Sequence, residues 1–400
     1  LAHALPSQLR AAFADQPPHV DFVSLAPEGQ IDGPYHEKVN AALRGCGAPV
    51  VREETRFARN VGRLGRNFDL AALAADPARL AAKFDTLAER YDGWNEFCDS
   101  TVADWRTAVA RAGAADPARR IEDMDLEGFK RAVLYPTYGL MVQGVQDPQA
   151  ANALCRAIND WMADYCRHDP SRLLGVGVLP QTDPKAALAE ARHCIEELGM
   201  IGVWRRPERI PGTPALHDSG YEPLWSYLEE SGRPLALHPG LNGIVPCDEL
   251  RHRYDDNYGA MHAVHFPMEQ IMGLTDMICF GVLDRHPALR VAFLETGATW
   301  ALAQLHRLDE HLELFGFPEK PKEKPSDQFR RQGFVSVEEA EPGLAAVLDA
   351  YPDSVMFASD YPHGDGVFPG AANELLESDA LDQDQLERVL FRNAERFYRL

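Results

Sequence analysis

Short apolar runs alternate with amphipathic stretches along most of the chain, from about residue 130 onward. The runs lie at residues 132–136, 173–180, 201–204, 234–238, 291–295, 334–337 and 355–360. Most of them end at a proline or a polar residue, which stops a strand and turns the chain. Near-continuous apolar strands that alternate with helices are typical of a parallel sheet covered by helices.

The segment between the second and third runs has the pattern of one βα unit. Asp183 is placed to cap a helix, Pro184 suits its first turn, and Gly199 suits a left-handed residue after its end. Apolar residues between them fall on one helical face: Leu188, Ala191, Ile195 and Leu198. This stripe predicts a helix that packs onto the sheet.

The regular interleaving favours an α/β fold of the (β/α)8, or TIM barrel, type over an open sheet. An open doubly wound sheet usually carries a glycine-rich first turn, which this chain lacks. The remaining strand is either the run at 20–25 or a segment upstream of residue 1. Helical stretches at 70–91 and 97–112 predict an N-terminal helical insertion. We therefore expect residues 1–114 to pack on a barrel formed by residues 115–400.

Composition excludes several classes of protein. The 61 acidic residues exceed the 40 basic ones, and a net charge of −21 repels nucleic acid. No apolar run approaches the ~18 residues of a membrane span, and the first residues lack the order of a signal peptide. The seven cysteines contain no C-x-x-C pair, which argues against a disulfide framework and a cysteine-based zinc site. These features predict a cytoplasmic enzyme.

Three strand ends carry chemically notable residues: His238, Glu295 and Asp360. Because the last residues of all strands in a parallel barrel point to one mouth, we expect these side chains to converge. Imidazole and carboxylate groups suit Zn²⁺ or Mn²⁺. An additional acidic group beside the ion suits proton transfer. A structural histidine and a helix-capping aspartate are the alternative interpretations of His238 and Asp360 taken alone.

Four stretches resemble the amidohydrolase-2 family: 120–140, 173–188, 265–311 and 355–370. That family holds the aminocarboxymuconate-semialdehyde decarboxylase and resorcylate decarboxylase types, within the metal-dependent amidohydrolase superfamily. The resemblance covers roughly residues 115–400, and its most specific motifs are FLE-x-G-x-x-W and FASDYPH.

The resemblance implies roles for individual residues. His238 is similar to the strand-five metal ligand, and Asp360 to the strand-eight carboxylate that contacts both metal and nucleophile or substrate. Glu295 stands where the better-described decarboxylases have a catalytic histidine at the end of strand six. The family's first strand ends in a His-x-His, Glu-x-His or Asp-Gly-His motif, and no H-x-H occurs in this chain. His265 is similar to a family histidine near the active-site rim.

Further candidates are predicted to bind substrate. Arg206 suits a substrate carboxylate, with a salt bridge at a strand end as the alternative. Tyr135 lies at the exit of a strand, and His363 lies just beyond Asp360. His262 is three residues before His265, so the two are adjacent on a helix face. The alternative for His262 and His265 is an exposed position at the rim without a catalytic role, and the alternative for His363 is an ordinary loop residue.

These residues predict a metal-dependent decarboxylase or C–C lyase for a small carboxylated aromatic or enol-type substrate. One divalent ion, zinc first and manganese second, would be bound by His238 and Asp360, while Glu295, with His265, would move the proton. The first alternative is a metal-dependent hydrolase that activates water for attack on a C–N, C–O or C–C bond. The second alternative is a non-catalytic accessory barrel. Barrels of this family are often dimers, so we expect a homodimer.

Overall fold

A computed structural model of the chain describes residues 112–400, apart from 115, 138, 141–142, 144, 146, 241–249, 251–252, 255–256 and 364–365. The strand candidate at 20–25 and the helical stretch at 70–91 lie outside the described residues, as does all but the last residue of 97–112. The N-terminal insertion, the eighth strand and the division at residue 114 therefore stay predictions.

The sheet of the described part has seven parallel strands, each hydrogen-bonded to the next along the chain. They are β1 (Ala132–Leu134), β2 (Leu173–Val178), β3 (Gly202–Arg205), β4 (Leu235–Leu237), β5 (Val291–Phe293), β6 (Gly333–Val337) and β7 (Val355–Phe357). Every predicted apolar run overlaps one of them, and none of these strands extends more than one residue beyond its run. Consecutive parallel order with intervening helices is the arrangement of a (β/α)8 barrel, so the predicted fold class is confirmed.

Helices precede, separate and follow the strands. They are α1 (Pro117–Glu127), α2 (Pro148–Cys166), α3 (Pro184–Arg192), α4 (Glu222–Ser231), α5 (Tyr258–Cys279), α6 (Val282–Arg285), α7 (Thr299–Phe315), α8 (Pro325–Gln332), α9 (Leu344–Ala350), α10 (Asn373–Leu376), α11 (Gln383–Glu387) and α12 (Asn393–Tyr398). A π-helical turn extends α3 over His193–Glu197, and another joins α11 to α12 over Arg388–Arg392. None of the helices in this part of the chain combines the length and apolar character that crossing a bilayer requires.

The predicted capping of α3 is confirmed. The Asp183 side chain accepts a hydrogen bond from the backbone N–H of Lys185, and Pro184 is the first helical residue. Gly199 has a φ of 70°, the left-handed conformation that glycine adopts without steric cost. Ala191 is fully buried, and the other three residues of the predicted stripe pack against the same core. The helix is therefore held on the sheet by the face that the sequence indicated.

The core has an outer layer between sheet and helices and an inner layer inside the barrel. Side chains alternate along β3, so Val203 belongs to the outer layer and Trp204 to the inner one. Phe397 and Tyr398 of α12 also belong to the inner layer. Arg290, just before β5, donates a 2.7 Å hydrogen bond to the Phe397 carbonyl. Because α12 lies at the amino ends of the strands, their carboxyl ends are left for the functional site.

Candidate active site

The three predicted strand-end residues lie at the same end of the sheet. His238 directly follows β4, Glu295 follows β5 by two residues, and Asp360 follows β7 by three. The Nε2 atom of His238 is 3.0 Å from Oε2 of Glu295. Ligand atoms of Glu295 and Asp360 lie within 4.8 Å of each other. The convergence expected from a closed parallel sheet is therefore present in the structure.

The orientation of His238 is set by its own loop and by Trp204. The Nδ1 atom of the imidazole lies 2.8 Å from the Pro239 carbonyl, so in the neutral ring Nδ1 carries the proton. The indole of Trp204 packs 5.7 Å from the imidazole, between ring centroids. Nε2 is thereby directed at Glu295. Histidines that bind metals commonly use one nitrogen for the ion and donate the other N–H to a carbonyl or carboxylate.

Glu295 and Asp360 both have an unusual backbone conformation. Glu295 has a φ of 65° and Asp360 a φ of 47°, in the left-handed region that non-glycine residues rarely adopt. The backbone N–H of Glu295 donates a 3.0 Å hydrogen bond to the Ser336 hydroxyl of β6. Each such residue costs of order 1–3 kcal/mol and persists when its surroundings enforce it. Strain concentrated at two strand ends supports a functional role for these positions.

Asp360 is paired with a second histidine. Nδ1 of His363 lies 2.8 Å from Oδ1 of Asp360, and Nε2 lies 3.0 Å from the Thr137 hydroxyl, just after β1. The backbone N–H of His363 also donates to the Asp360 carbonyl at 2.8 Å. Two imidazole–carboxylate pairs, one after β4 and β5 and one after β7, therefore share the mouth of the sheet.

The loop after β7 is anchored to α1. The Tyr361 hydroxyl donates to the Asp123 carboxylate, and the Arg120 guanidinium lies 4.0 Å from the centre of the Tyr361 ring. The backbone N–H of Gly370 donates to Glu127 at 2.7 Å. The contacts with α1 consequently fix the loop that carries Asp360 and His363.

Burial and mutual charge act in opposite directions on His238 and Glu295. Burial lowers the pKa of the His238 imidazole, but the charge and hydrogen bond of Glu295 outweigh burial and raise it, helped by Pro239 and Asp360. Burial raises the pKa of the Glu295 carboxyl, yet the His238 imidazole holds that pKa well below its ordinary value. Glu295 is therefore ionised at neutral pH.

The mouth also contains a group suited to a metal ion. Glu295, Asp360 and His363 each offer one ligand atom, and these atoms all lie within 4.8 Å of one another. Carboxylate oxygen and imidazole nitrogen are the donors that zinc and manganese take in proteins. This grouping contains His363, which the sequence predicted to bind substrate, and His238 reaches it through Glu295. The predicted ligand pair of His238 and Asp360 stays a prediction.

Comparisons with known proteins decide the family. A family model described as amidohydrolase matches residues 91–400. The chain belongs to this amidohydrolase family. The resemblance predicted from the sequence motifs is thereby confirmed.

This amidohydrolase is similar to known decarboxylases. It is 23% identical to the gamma-resorcylate decarboxylase of Polaromonas sp. strain JS666 over 293 residues, which cover 70% of this chain and 87% of the relative. The crystal structure of a 5-carboxyvanillate decarboxylase from Sphingomonas paucimobilis superposes with a TM-score of 0.58 at 26% identity, covering 70% of this chain and 82% of that one. A dihydroxybenzoic acid decarboxylase from Polaromonas sp. JS666, with bound manganese and the inhibitor 2-nitroresorcinol, gives a TM-score of 0.63 at 22% identity, covering 74% and 90%.

Arg206 and His265 of the amidohydrolase lie together in a separate buried cluster. Arg206 contacts Glu269 through two bonds, Nε to Oε1 and Nη2 to Oε2, both 2.9 Å long, and both side chains are fully buried. Nε2 of His265 lies 2.9 Å from Oε2 of Glu269. The contacts favour the salt-bridge interpretation of Arg206 over the substrate-binding one. His265 is likewise fully buried against Glu269, which does not suit the predicted proton transfer to substrate.

Tyr135 and His262 face different surroundings. The Tyr135 hydroxyl is hydrogen-bonded to the hydroxyl of Tyr398, and its ring lies 6.3 Å from Trp204, which directs it into the barrel interior. His262, on α5, is near enough to Glu295 to lower the pKa of that carboxyl. The predicted substrate contact of His262 stays a prediction, whereas the hydroxyl of Tyr135 is engaged below the mouth.

Two functional candidates escaped the sequence analysis. Glu269 and Gln270 are consecutive on α5, and the Gln270 amide donates 2.8 Å hydrogen bonds to the carbonyls of Leu237 and Leu294. A signal was present, because the two polar residues interrupt an apolar stretch and Glu269 follows His265 at helical spacing. Which backbone groups they reach was not readable from that pattern.

The lowered pKa of Glu269 predicts that the stability of the folded protein depends on pH. Burial raises its pKa, but the charge of Arg206 and hydrogen bonds from His265 and Arg206 outweigh burial, and the pKa falls from 4.5 to about 2. Because the pKa of Glu269 is lower in the folded protein than in the unfolded chain, the ionised carboxylate stabilises the fold at pH values above about 4.5. This stabilisation is lost as the pH falls from about 4.5 to about 2. Urea unfolding of Glu269→Gln at several pH values should show it less stable than wild type at pH ~7, with a gap that narrows toward low pH. A gap independent of pH would contradict the assignment.

Proposed function

We propose that this amidohydrolase is a metal-dependent decarboxylase of small carboxylated aromatic compounds. The observation that carries the proposal is the gathering of His238, Glu295, Asp360 and His363 at the carboxyl ends of the strands. It is supported by relatives that are decarboxylases of resorcylate, carboxyvanillate and 2-amino-3-carboxymuconate-6-semialdehyde. A barrel enzyme is expected to carry its chemistry at this end of the sheet.

The donor set fits one divalent ion. We propose that His238 Nε2 and the carboxylates of Asp360 and Glu295 hold it, with His363 orienting Asp360 through Nδ1. When bound, the ion would polarise a substrate oxygen and delocalise the charge left on the ring as CO₂ departs. The sequence predicts zinc as the first candidate. The two carboxylates favour manganese, as does the related decarboxylase whose crystal structure contains bound manganese.

The protein's own residues would then bind the substrate and manage one proton. In decarboxylation the bond between ring carbon and carboxylate breaks, its electron pair stays on the ring carbon, and a proton takes the place of CO₂. Glu295 is ionised and accepts a proton rather than donating one. His363, held between Asp360 and Thr137, is proposed to donate the proton that replaces CO₂ on the ring carbon. His262 is proposed to contact the substrate.

A product analysis tests this function. Protein loaded with Mn²⁺ or Zn²⁺ is incubated with 2,6-dihydroxybenzoate and with 5-carboxyvanillate, and CO₂ and the phenolic product are measured. We expect equimolar CO₂ and phenol, loss of activity after chelation, and recovery when the ion returns. Runs in ¹⁸O-water separate decarboxylation from the hydrolase alternative, which would place the label in an organic product.

The accessory alternative has its own test. Elemental analysis of protein purified without chelators should find about one Mn or Zn per chain. A protein that neither retains nor rebinds either ion, and releases no CO₂, would contradict the proposed function and favour a non-catalytic barrel. The predicted homodimer and cytoplasmic location stay predictions.

A further inference from the structure

We propose that Glu269 and Gln270, the consecutive polar residues of α5, are positioning residues that hold the ends of β4 and β5. Their role would be to keep His238 and Glu295 facing each other across the mouth. The proposal rests on the proposed function, because it assigns a task toward the metal-binding group of that site. Neither residue contacts the reacting atoms in this arrangement.

Gln270 joins the two strand ends directly. Its Nε2 atom donates to the carbonyl of Leu237 and to the carbonyl of Leu294, at 2.8 Å in each case. Leu237 directly precedes His238, and Leu294 directly precedes Glu295. The backbone N–H of Leu294 also donates to the Leu237 carbonyl at 3.0 Å. One fully buried side-chain amide thus sets the spacing of the two residues whose side chains pair in the site.

Glu269 anchors the chain on the other side of His238. Its Oε2 atom accepts a 3.2 Å hydrogen bond from the backbone N–H of Gly240, two residues after His238. The Gly240 carbonyl is bound by Nη2 of Arg206 and lies 2.9 Å from Nε2 of His265. Gln270 therefore holds the backbone carbonyl directly before His238, at Leu237. Glu269, Arg206 and His265 hold the backbone of Gly240, two residues after His238.

The energetic cost of this arrangement argues for a task beyond stability. A buried ion pair such as Arg206–Glu269 is seldom more stabilising than apolar residues of the same size, because both charges must be desolvated. The left-handed backbone conformation of Glu295 also has to be held in place by neighbouring groups, because a non-glycine residue otherwise relaxes to a more favourable conformation. A hydrogen-bonded anchor before and after His238, and directly before Glu295, provides that enforcement.

The chain offers matched controls that do not contact the carboxyl ends of β4 and β5. Gln332, also buried, donates a 2.9 Å hydrogen bond from Nε2 to the His286 carbonyl before β5, at the opposite end of the sheet. Glu190 is buried on α3 and binds Nε of Arg156 at 2.9 Å and the Asn159 amide at 2.8 Å. Substitution at these positions removes equivalent buried interactions without touching the strand ends of β4 and β5.

The first experiment compares Gln270→Met with Gln332→Met. Mn²⁺ alone is titrated into each protein by calorimetry, and kcat and KM are measured for decarboxylation. We expect Gln270→Met to bind Mn²⁺ about 10- to 100-fold more weakly and to lower kcat by a similar factor, because the ligand geometry is loosened. Gln332→Met should keep the Mn²⁺ affinity and kcat of the wild type while losing thermal stability.

The second comparison, Glu269→Gln with Glu190→Gln, keeps the test decisive if Gln270→Met does not fold. Weaker Mn²⁺ binding in Glu269→Gln, but not in Glu190→Gln, would support the positioning role. If both α5 variants lose stability yet bind Mn²⁺ and turn over like their controls, the inference is overturned. The His238→Ala variant separates the two proposals: should it still bind Mn²⁺ normally, the proposed metal centre itself is wrong.

Discussion

Replacing His238 with alanine is expected to abolish metal retention and to lower decarboxylation at least about 10³-fold, roughly 4 kcal/mol of transition-state stabilisation. The physical reason is that Nε2 of His238 is the nitrogen turned toward the carboxylates, held there by the bond from Nδ1 to Pro239. Elemental analysis, Mn²⁺ titration and kcat/KM measure the effect.

His286→Ala is the matched control for this variant. His286 is also a buried histidine, with Nδ1 3.2 Å from Glu229, but it lies before β5 at the opposite end of the sheet. We expect it to lose stability while retaining the ion and most of the activity. Equal loss of activity in both variants would mean that general destabilisation, rather than a missing ligand, explains the result for His238→Ala.

Glu295→Gln is expected to have the second largest effect. The amide keeps the size of the side chain but removes the charge that faces His238 and lies beside Asp360. Loss of the carboxylate that is proposed to hold the ion and to accept a proton should reduce kcat about 10²- to 10⁴-fold. Measuring kcat at saturating Mn²⁺ separates this loss from weakened ion binding.

The control for Glu295→Gln is Glu229→Gln, which removes one of the two carboxylates that contact His286. A nearly unchanged kcat is expected for the control. Wild-type turnover in Glu295→Gln would remove Glu295 from the mechanism.

The apolar pattern was sufficient for the fold because it reports burial residue by residue. Every predicted run overlaps a strand, and the capping residues of α3 behave as their local chemistry requires. Such signals act over a few residues, so they survive without knowledge of the rest of the chain. Strand ends were equally readable, since parallel closure brings them to one rim whatever the intervening sequence.

The substrate and proton roles of individual residues were less predictable. Arg206 pairs with Glu269, which is 63 positions away along the chain, and Tyr135 pairs with Tyr398, which is 263 positions away. Nothing in the local sequence around Arg206 or Tyr135 identifies these partners. A polar residue at a strand end has several chemically equal uses, and packing selects among them.

The sequence by itself therefore determined the alternation of strands and helices, and it predicted that His238, Glu295 and Asp360 meet at the carboxyl ends of the strands. The tertiary structure decided which imidazole faces which carboxylate, brought His363 beside Asp360 and Glu295, and turned Arg206 and His265 toward Glu269. The reason is that each residue's own polarity indicates whether it is buried, whereas a hydrogen bond between distant elements requires donor and acceptor to be placed to within a fraction of an ångström, which only the assembled fold achieves.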